Sequence, residues 1–166
     1  MKIAILNDTH NGIRNSSEIF LDNAEDFYKN IFFPECKKRG IKQILHLGDY
    51  YDHRKFVNFK ALNQNRRVFL EPLRKNNMVM DIIPGNHDTY YKNTNELNSL
   101  KECLGHYMNE IHIIMEPTVM QYGSLNMGLL PWICADNYDQ SMNFICLLYT
   151  SPSPRGRTRS RMPSSA

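Results

Sequence analysis

Short apolar runs alternate with longer amphipathic segments along most of the chain. Three compact apolar runs cover residues 2–6, 41–47 and 78–83, and each has the length of a buried strand. Between them, apolar positions recur at helical spacing in two stripes. The stripes are Phe20, Ala24, Phe27 and Ile31, and then Phe59, Leu62, Phe69 and Leu73. This strand–helix–strand–helix–strand order predicts right-handed crossovers and a parallel sheet, and therefore an α/β fold.

Local residues predict where the first helix begins and ends. Ser16 or Ser17 is placed to cap its start, Gly40 to end it, and Pro34 to kink or break it near its end. A further helix is predicted over residues 96–104.

The second half of the chain contains shorter apolar runs. Residues 111–114, 118–122 and 125–130 predict additional strands, with a hairpin turn at Gly123-Ser124.

Composition narrows the class of protein. Apolar residues make up 42% of the chain and charged residues 22%, which is typical of a globular protein. No run of eighteen apolar residues exists, so the sequence predicts no membrane span. The four scattered cysteines contain no C-x-x-C pair, which argues against a disulfide framework and a zinc finger. A cytoplasmic protein is expected.

The formal net charge of +3 misrepresents most of the sequence. Four arginines, at positions 155, 157, 159 and 161, lie in the last stretch, and without them the net charge is −1. Overall basicity therefore gives no support for nucleic-acid binding by the rest of the chain.

Residues of metal-ligating types follow each of the three predicted strands. They form the motifs Asp8-x-His10, Gly48-Asp49-x-x-Asp52 and Gly85-Asn86-His87-Asp88. Because ligands of open α/β sheets bind beyond the carboxyl ends of the strands, these loops are expected to meet at one edge. Carboxylate and amide oxygens mixed with imidazole suit divalent ions such as manganese, iron or zinc.

In this order, the D-x-H, G-D-x-x-D and G-N-H-D motifs resemble the first three motifs of the calcineurin-like metallophosphoesterase superfamily. More narrowly, the chain resembles the nuclease subunits of SbcCD-type double-strand-break repair complexes and their tailed-phage counterparts, the recombination endonucleases. The narrower likeness rests on residues 49–55, 85–93 and 130–134. The resemblance implies a metallophosphoesterase sandwich, in which mixed β-sheets with a parallel core are flanked by helices.

The resemblance also implies two divalent metal ions, with manganese as the expected metal. Asp8 and His10 would bind the first ion, Asp49 would bridge the two, and Asn86 would bind the second.

Three neighbouring residues are the predicted catalytic groups. His87 would steady or protonate the leaving oxygen, and Asp88 would hold the His87 imidazole in one tautomer. Asp52 occupies a position where some relatives carry a histidine near the scissile phosphate, and its role is left open.

Four residues that flank these loops are the predicted DNA contacts, because three of them are cations that can bind phosphates and the fourth is a tyrosine on the same loops. They are Arg54, Lys55, Tyr91 and Lys92. The tyrosine pairs at 50–51 and 90–91 lie on the same loops. Their rings either stack on an unpaired base or only line the side of the site.

The leading functional hypothesis is a metal-dependent DNA exonuclease or endonuclease subunit, acting in recombination and double-strand-break repair. Its implied partners are DNA, an SMC-like ATPase subunit and a second copy in a homodimer, in the cytoplasm of a bacterial or phage-infected cell. One alternative is a phosphomonoesterase or cyclic-nucleotide phosphodiesterase of the same superfamily. Another is a fragment that binds DNA or a partner without catalysis.

Two later motifs of the family, a Gly-His and a Gly-x-His, have no match in this sequence. The pair Gly105-His106 precedes Pro131-Trp132 instead of following it, and is interpreted as a helix end with a surface histidine. We therefore expect residues 1–145 to be the N-terminal part of a nuclease domain truncated at its C-terminus, with little or no activity in this chain.

The last 21 residues, 146–166, differ in composition from the rest and are rich in Ser, Pro and Arg. Their sequence resembles the translation of a sequencing adaptor, and a native tail is the alternative. We expect this segment to be non-native and disordered.

Overall fold

The structure is a computed structural model that describes residues 1–150, with two β-sheets and helices packed on the larger one. The strands are β1 (Ile3–Leu6), β2 (Gln43–His46), β3 (Val79–Ile82), β4 (Ile111–Ile113), β5 (Thr118–Tyr122) and β6 (Leu125–Leu129). The α-helices are α1 (Ile13–Ser16), α2 (Glu18–Asp26), α3 (Phe33–Arg39), α4 (Phe59–Asn65), α5 (Glu71–Lys75), α6 (Ser99–Leu104) and α7 (Tyr138–Thr150). Two π-helical turns, Phe27–Phe32 and Arg66–Leu70, and one 3₁₀ turn, Gly105–Tyr107, complete them.

The first four strands form one parallel sheet in the order β1-β2-β3-β4. Its register pairs Leu6 with His46 and His46 with Ile82, so the first three strands end level with one another. The loops that follow these strands therefore emerge together at one edge. The predicted α/β fold with a parallel sheet and flanking helices is confirmed.

The predicted hairpin is also present. Strands β5 and β6 pair antiparallel, with Tyr122 opposite Leu125 across a turn that begins at Gly123. Gly123 has a φ of +64°, in the left-handed region that glycine adopts without strain. Leu129 and Tyr122 of the hairpin pack with Leu45 of the sheet in a second, smaller core.

A buried carboxylate joins the two sheets. Asp81 of β3 is 3% exposed and accepts hydrogen bonds from the Tyr122 hydroxyl at 2.8 Å and from Gln43 Nε2 at 2.8 Å. His112 Nδ1 lies 2.9 Å from the same carboxylate. These partners satisfy the carboxylate, so its burial does not leave an uncompensated polar group.

The main core lies on the opposite face of the sheet and is rich in aromatic rings. Phe69 is fully buried, and its ring lies within 4.9–6.3 Å of four others. These are Tyr28, Phe32, Phe33 and Tyr50.

The predicted apolar face of the first helix is wrong by one position. Phe27 is 39% exposed and Ile31 is 55% exposed, whereas the neighbouring Tyr28 and Phe32 are buried. A π-helical turn over this stretch rotates the buried side relative to a regular helix.

Both π-helical turns of the described chain end just before a proline, at Pro34 and Pro72. Because proline has no N–H, it cannot donate a backbone hydrogen bond to the preceding turn of the helix. A wider π-helical turn before the proline accommodates the loss of that hydrogen bond. The predicted disturbance at Pro34 thus takes the form of a π turn, and Gly40 ends α3 with a φ of +68°, as predicted.

The described chain closes with α7, which extends through Thr150. The expected disorder is therefore wrong for residues 146–150, which continue this helix, while the rest of that segment lies outside the described residues. None of the helices within residues 1–150 has the length and apolar character needed to cross a membrane.

Candidate metal centre at the ends of three strands

The loops after β2 and β3 approach each other so closely that only glycine fits. A Cβ built on Gly85 would lie 2.2 Å from Asp49 Oδ1 and 2.4 Å from the Asp49 nitrogen. A Cβ on Gly48, which has a φ of +101°, would lie 2.7 Å from the Gly85 nitrogen. The two glycines therefore place the Asp49 carboxylate directly against the third loop.

The loop after β1 is tied to the loop after β2 by backbone hydrogen bonds. Asp8 N donates to Gly48 O at 3.2 Å, and His10 N donates to Asp49 O at 3.0 Å. Asp8, His10 and Asp49 have φ values of +50°, +42° and +53°, a left-handed conformation that is unfavourable for residues with a side chain. Such strain concentrates at functional sites, where the surrounding structure enforces it.

Asp8, His10 and Asp49 converge at this edge. One ligand atom from each lies within 4.8 Å of the others, close to the spacing of atoms that share one ion. His10 Nδ1 is buried and makes no hydrogen bond with the described residues. Asn86 lines the same cavity as Asp8 and Asp49, so three of the four predicted ligands border one space.

A second cluster shares His10 with the first and contains Asp52 and His87. His10 Nδ1 lies 3.4 Å from Asp52 Oδ1, and the rings of His10 and His87 meet edge to face at 4.8 Å. His87 Nδ1 lies 2.6 Å from the backbone oxygen of Asp52. A carbonyl oxygen only accepts, so Nδ1 carries the proton and Nε2 is left as the reactive nitrogen.

The expectation that Asp88 orients the His87 ring is wrong. The Asp88 side chain points into the interior, where it is fully buried and accepts hydrogen bonds from the backbone nitrogens of Gly85, Tyr50 and Tyr51 at 2.9–3.2 Å. Burial raises the pKa of Asp88 to about 6, against the effect of these donors. Asp88 instead fixes the second loop to the third, and the Asp52 carbonyl holds His87.

His46, at the end of β2, contacts the loops that follow β1 and β2. It is fully buried, with Nδ1 accepting a hydrogen bond from Gly48 N at 3.2 Å and Nε2 lying 3.0 Å from Thr9 Oγ1. Burial lowers the pKa of His46 to about 3, so the ring is neutral at ordinary pH.

Two of the residues predicted to contact DNA, Arg54 and Lys55, line a cavity together with His87. Tyr91 is 51% exposed, Lys55 and Lys92 are exposed, and Arg54 is half-buried with its Nη1 atom making no hydrogen bond in the described chain.

The stacking role considered for the first tyrosine pair is wrong. Tyr50 and Tyr51 are each 1% exposed, because the loop folds back and inserts both rings into the core.

One known family matches almost the whole described chain. The family model for calcineurin-like phosphoesterase covers residues 1–144. The chain belongs to the calcineurin-like phosphoesterase family. The matched range contains all three loops of the candidate metal centre, so the family match and the geometry identify the same part of the molecule.

Two known proteins are similar to this phosphoesterase. Exonuclease subunit 1 of Enterobacteria phage T4 is 30% identical over 145 residues, which cover 87% of this chain and 42% of that relative. The crystal structure of Pseudomonas putida nuclease MPE aligns with a TM-score of 0.44 and 18% identity, over 80% of this chain and 59% of that one. More than half of the phage relative therefore has no counterpart in this chain.

The calcineurin-like phosphoesterase family implies divalent metal binding, and the residues at this edge fit such a group. Asp8 and Asp49 supply carboxylate oxygens, and the half-buried His10, whose Nε2 lies 3.7 Å from Asp8 Oδ1, supplies an imidazole nitrogen. This mixed donor set suits a divalent ion of intermediate hardness.

Proposed function

We propose that this calcineurin-like phosphoesterase is the nuclease subunit of a DNA-processing complex, acting on DNA phosphodiesters as an exonuclease or endonuclease. The observation that carries the proposal is the convergence of Asp8, His10 and Asp49, with one ligand atom from each within 4.8 Å of the others. The likeness to a phage exonuclease subunit supports DNA as the substrate class.

Four residues would hold two divalent ions, with manganese as the expected metal. Asp8 and His10 bind the first, Asp49 bridges both, and Asn86 binds the second. When bound, such a pair polarises the phosphodiester and lowers the pKa of an attacking water. Because Asp49 Oδ1 accepts a hydrogen bond from His87 N at 2.8 Å, the Asp49 carboxylate is held in place while substrate enters and leaves.

His87 acts on the leaving oxygen. Its Nδ1 proton is held by the Asp52 carbonyl at 2.6 Å, so the ring is oriented before substrate arrives. Nε2 then gives a proton to the leaving oxygen from the imidazolium form of the ring, in which both nitrogens carry protons. The Asp52 carboxylate, 3.4 Å from His10 Nδ1, positions the His10 ring from the other side. Asp88 contributes indirectly, by fixing the loops that carry these groups.

Arg54, Lys55, Tyr91 and Lys92 form the DNA-contacting rim in this proposal, since they follow the ligand motifs in the sequence and carry charge or an exposed ring. The complex includes an SMC-like ATPase and a homodimer of the nuclease subunit, and works in recombination and double-strand-break repair in the cytoplasm of a bacterial or phage-infected cell.

Residues 1–145 are, in this proposal, the N-terminal part of a longer nuclease domain, and residues 146–166 are not native. Genomic reads across the codons for Asn143 to Cys146 should diverge from the present sequence and continue into a Gly-His motif. Reads that reproduce the arginine-rich end would contradict this boundary.

The nuclease activity itself is tested on the longer protein obtained from those reads. We expect cleavage of linear DNA that requires added manganese and is abolished by a chelator. His87→Ala should reduce the rate of cleavage by about a hundredfold or more, as expected for loss of a general acid. His106→Ala, which removes an exposed histidine outside the site, is the control. Equal activity of the two variants would refute the role of His87, and activity that persists in chelator would refute metal dependence.

A further inference from the structure

Two stacked rings lie in the loop between β2 and α4, beside the candidate metal centre. The ring centroids of His53 and Phe56 are 4.5 Å apart and their planes differ by 24°. His53 thus covers one face of the Phe56 ring, while 59% of Phe56 remains exposed. Exposure of so much aromatic surface next to catalytic groups indicates a binding role more readily than a packing role.

The same loop borders a cavity that reaches the catalytic histidine. The cavity is lined by Asp52, His53, Arg54, Lys55, Phe56 and His87. Arg54 Nη1 is buried and makes no hydrogen bond with residues 1–150, whereas His53 Nε2 lies 3.4 Å from Asp52 Oδ2. A buried guanidinium nitrogen without an acceptor is costly, and a phosphate oxygen is the acceptor that Arg binds best.

The loop holds this arrangement in place without a ligand. Asp52 N donates to Asn11 O at 3.3 Å, and the Asp52 carbonyl contacts His87 Nδ1. At the other end, Asn58 Oδ1 accepts a hydrogen bond from Lys60 N at 2.8 Å and caps α4. The stacked rings therefore keep a fixed position relative to His87, which reduces the ordering cost of binding.

We propose that Phe56, backed by His53, stacks on a base of an unpaired DNA strand while Arg54 binds an adjacent phosphate. This inference rests on the proposed nuclease function and deepens it, because it makes a single-stranded or frayed DNA end the preferred substrate. Aromatic platforms bind bases of any sequence, since every base has a flat π face. The platform takes the stacking role that the sequence suggested for Tyr50 and Tyr51.

The test uses the complete 166-residue chain and a set of short single-stranded oligonucleotides in which 2-aminopurine occupies each position in turn. With a chelator present to prevent cleavage, stacking on Phe56 should quench the fluorescence at one or two positions. Phe56→Leu, which keeps the apolar bulk, should abolish that quenching and weaken binding by about fivefold or more, the factor that corresponds to ~1 kcal/mol of base stacking. Phe56→Trp should restore both.

Two controls separate the platform from general effects. Phe59→Leu changes an exposed ring, 87% accessible, that lines a different cavity, and it should leave quenching and affinity unchanged. A strand with an abasic residue at the quenched position should bind Phe56→Leu and the unaltered chain equally well.

Unchanged quenching in Phe56→Leu, or equal losses in Phe59→Leu, would overturn the platform. Because this readout needs neither metal nor cleavage, it is independent of the His87 assay. Quenching that depends on Phe56, together with a longer protein that cleaves no DNA in the presence of manganese, would therefore refute the proposed function and leave the platform standing.

Discussion

The contact between Gly85 and Asp49 makes Gly85→Ala the sharpest perturbation of the candidate metal centre. An added Cβ would lie 2.2 Å from Asp49 Oδ1, 2.4 Å from Asp49 N and 2.9 Å from Asp49 Cγ. Two of these atoms belong to the carboxylate, so the side chain must rotate away or the two loops must separate. Overpacking of this kind costs about 1–3 kcal/mol of folding free energy. The bridging carboxylate should also be lost from its position.

Two other glycines provide matched controls, since neither has an atom within 4 Å of an added Cβ. Gly40 has a φ of +68°, so Gly40→Ala should cost about 1 kcal/mol through backbone strain alone. Gly105 has a helical φ of −54°, so Gly105→Ala should be neutral or should stabilise the fold by about 0.4–1 kcal/mol.

Urea unfolding of the three variants measures stability, and calorimetric titration with manganese measures the metal centre. We expect the midpoints to rank Gly105→Ala above Gly40→Ala above Gly85→Ala, and only Gly85→Ala to weaken manganese binding. Gly85→Ala with unaltered stability and unaltered manganese affinity would show that the two loops are not in contact as described.

Three further predictions concern the groups that support the loops. Because the pKa of His46 is about 3 in the folded state against 6.5 ordinarily, the unfolded chain binds the extra proton below pH 6.5. Protonation of His46 in the unfolded chain should therefore lower the free energy of unfolding by about 2 kcal/mol between pH 7 and pH 5. Urea unfolding at the two pH values should show that His46→Gln lacks this contribution to the pH dependence of stability. Asp88→Asn should cost about 1–3 kcal/mol, because the amide oxygen can accept from Tyr50 N and Tyr51 N but the amide NH₂ then opposes the Gly85 N–H. Asp136→Asn at an exposed position should cost little, and equal urea midpoints of the two variants would contradict this. Tyr122→Phe should cost about 1 kcal/mol or more by removing the hydroxyl that binds Asp81, and thermal unfolding without a lowered midpoint would count against that link.

The strands and their polar ends were predictable because they depend on local pattern and on topology. Runs of apolar residues ending at Asp8, Asp49 and Asn86 already predicted that three loops would meet, and the level register of the sheet brings them together. The order of the motifs was enough to predict which loops would form the candidate metal centre.

The direction of individual side chains could not be predicted from the sequence. Adjacency suggested that Asp88 contacts His87, but successive residues of a tight turn point opposite ways, and Asp88 turns into the interior. Position after a strand suggested that Tyr50 and Tyr51 were accessible, although the left-handed Asp49 directs the following chain back into the core. No sequence pattern indicated that the rings of Phe56 and His53 would stack.

The same limit applied to the first helix. The stripe through Phe27 and Ile31 fits a regular helix as well as the stripe through Tyr28 and Phe32 does. A π turn, which depends on tertiary packing and on Pro34, decided which face is buried.

The central claim is that a divalent metal binds where Asp8, His10 and Asp49 converge. Crystals of the chain grown with manganese, measured for anomalous scattering, locate such ions directly. The account predicts a strong peak within coordinating distance of these three side chains and a second, weaker peak roughly 3.5–4 Å away, toward Asn86. An anomalous map with manganese only at surface carboxylates, and none at this edge of the sheet, would contradict it.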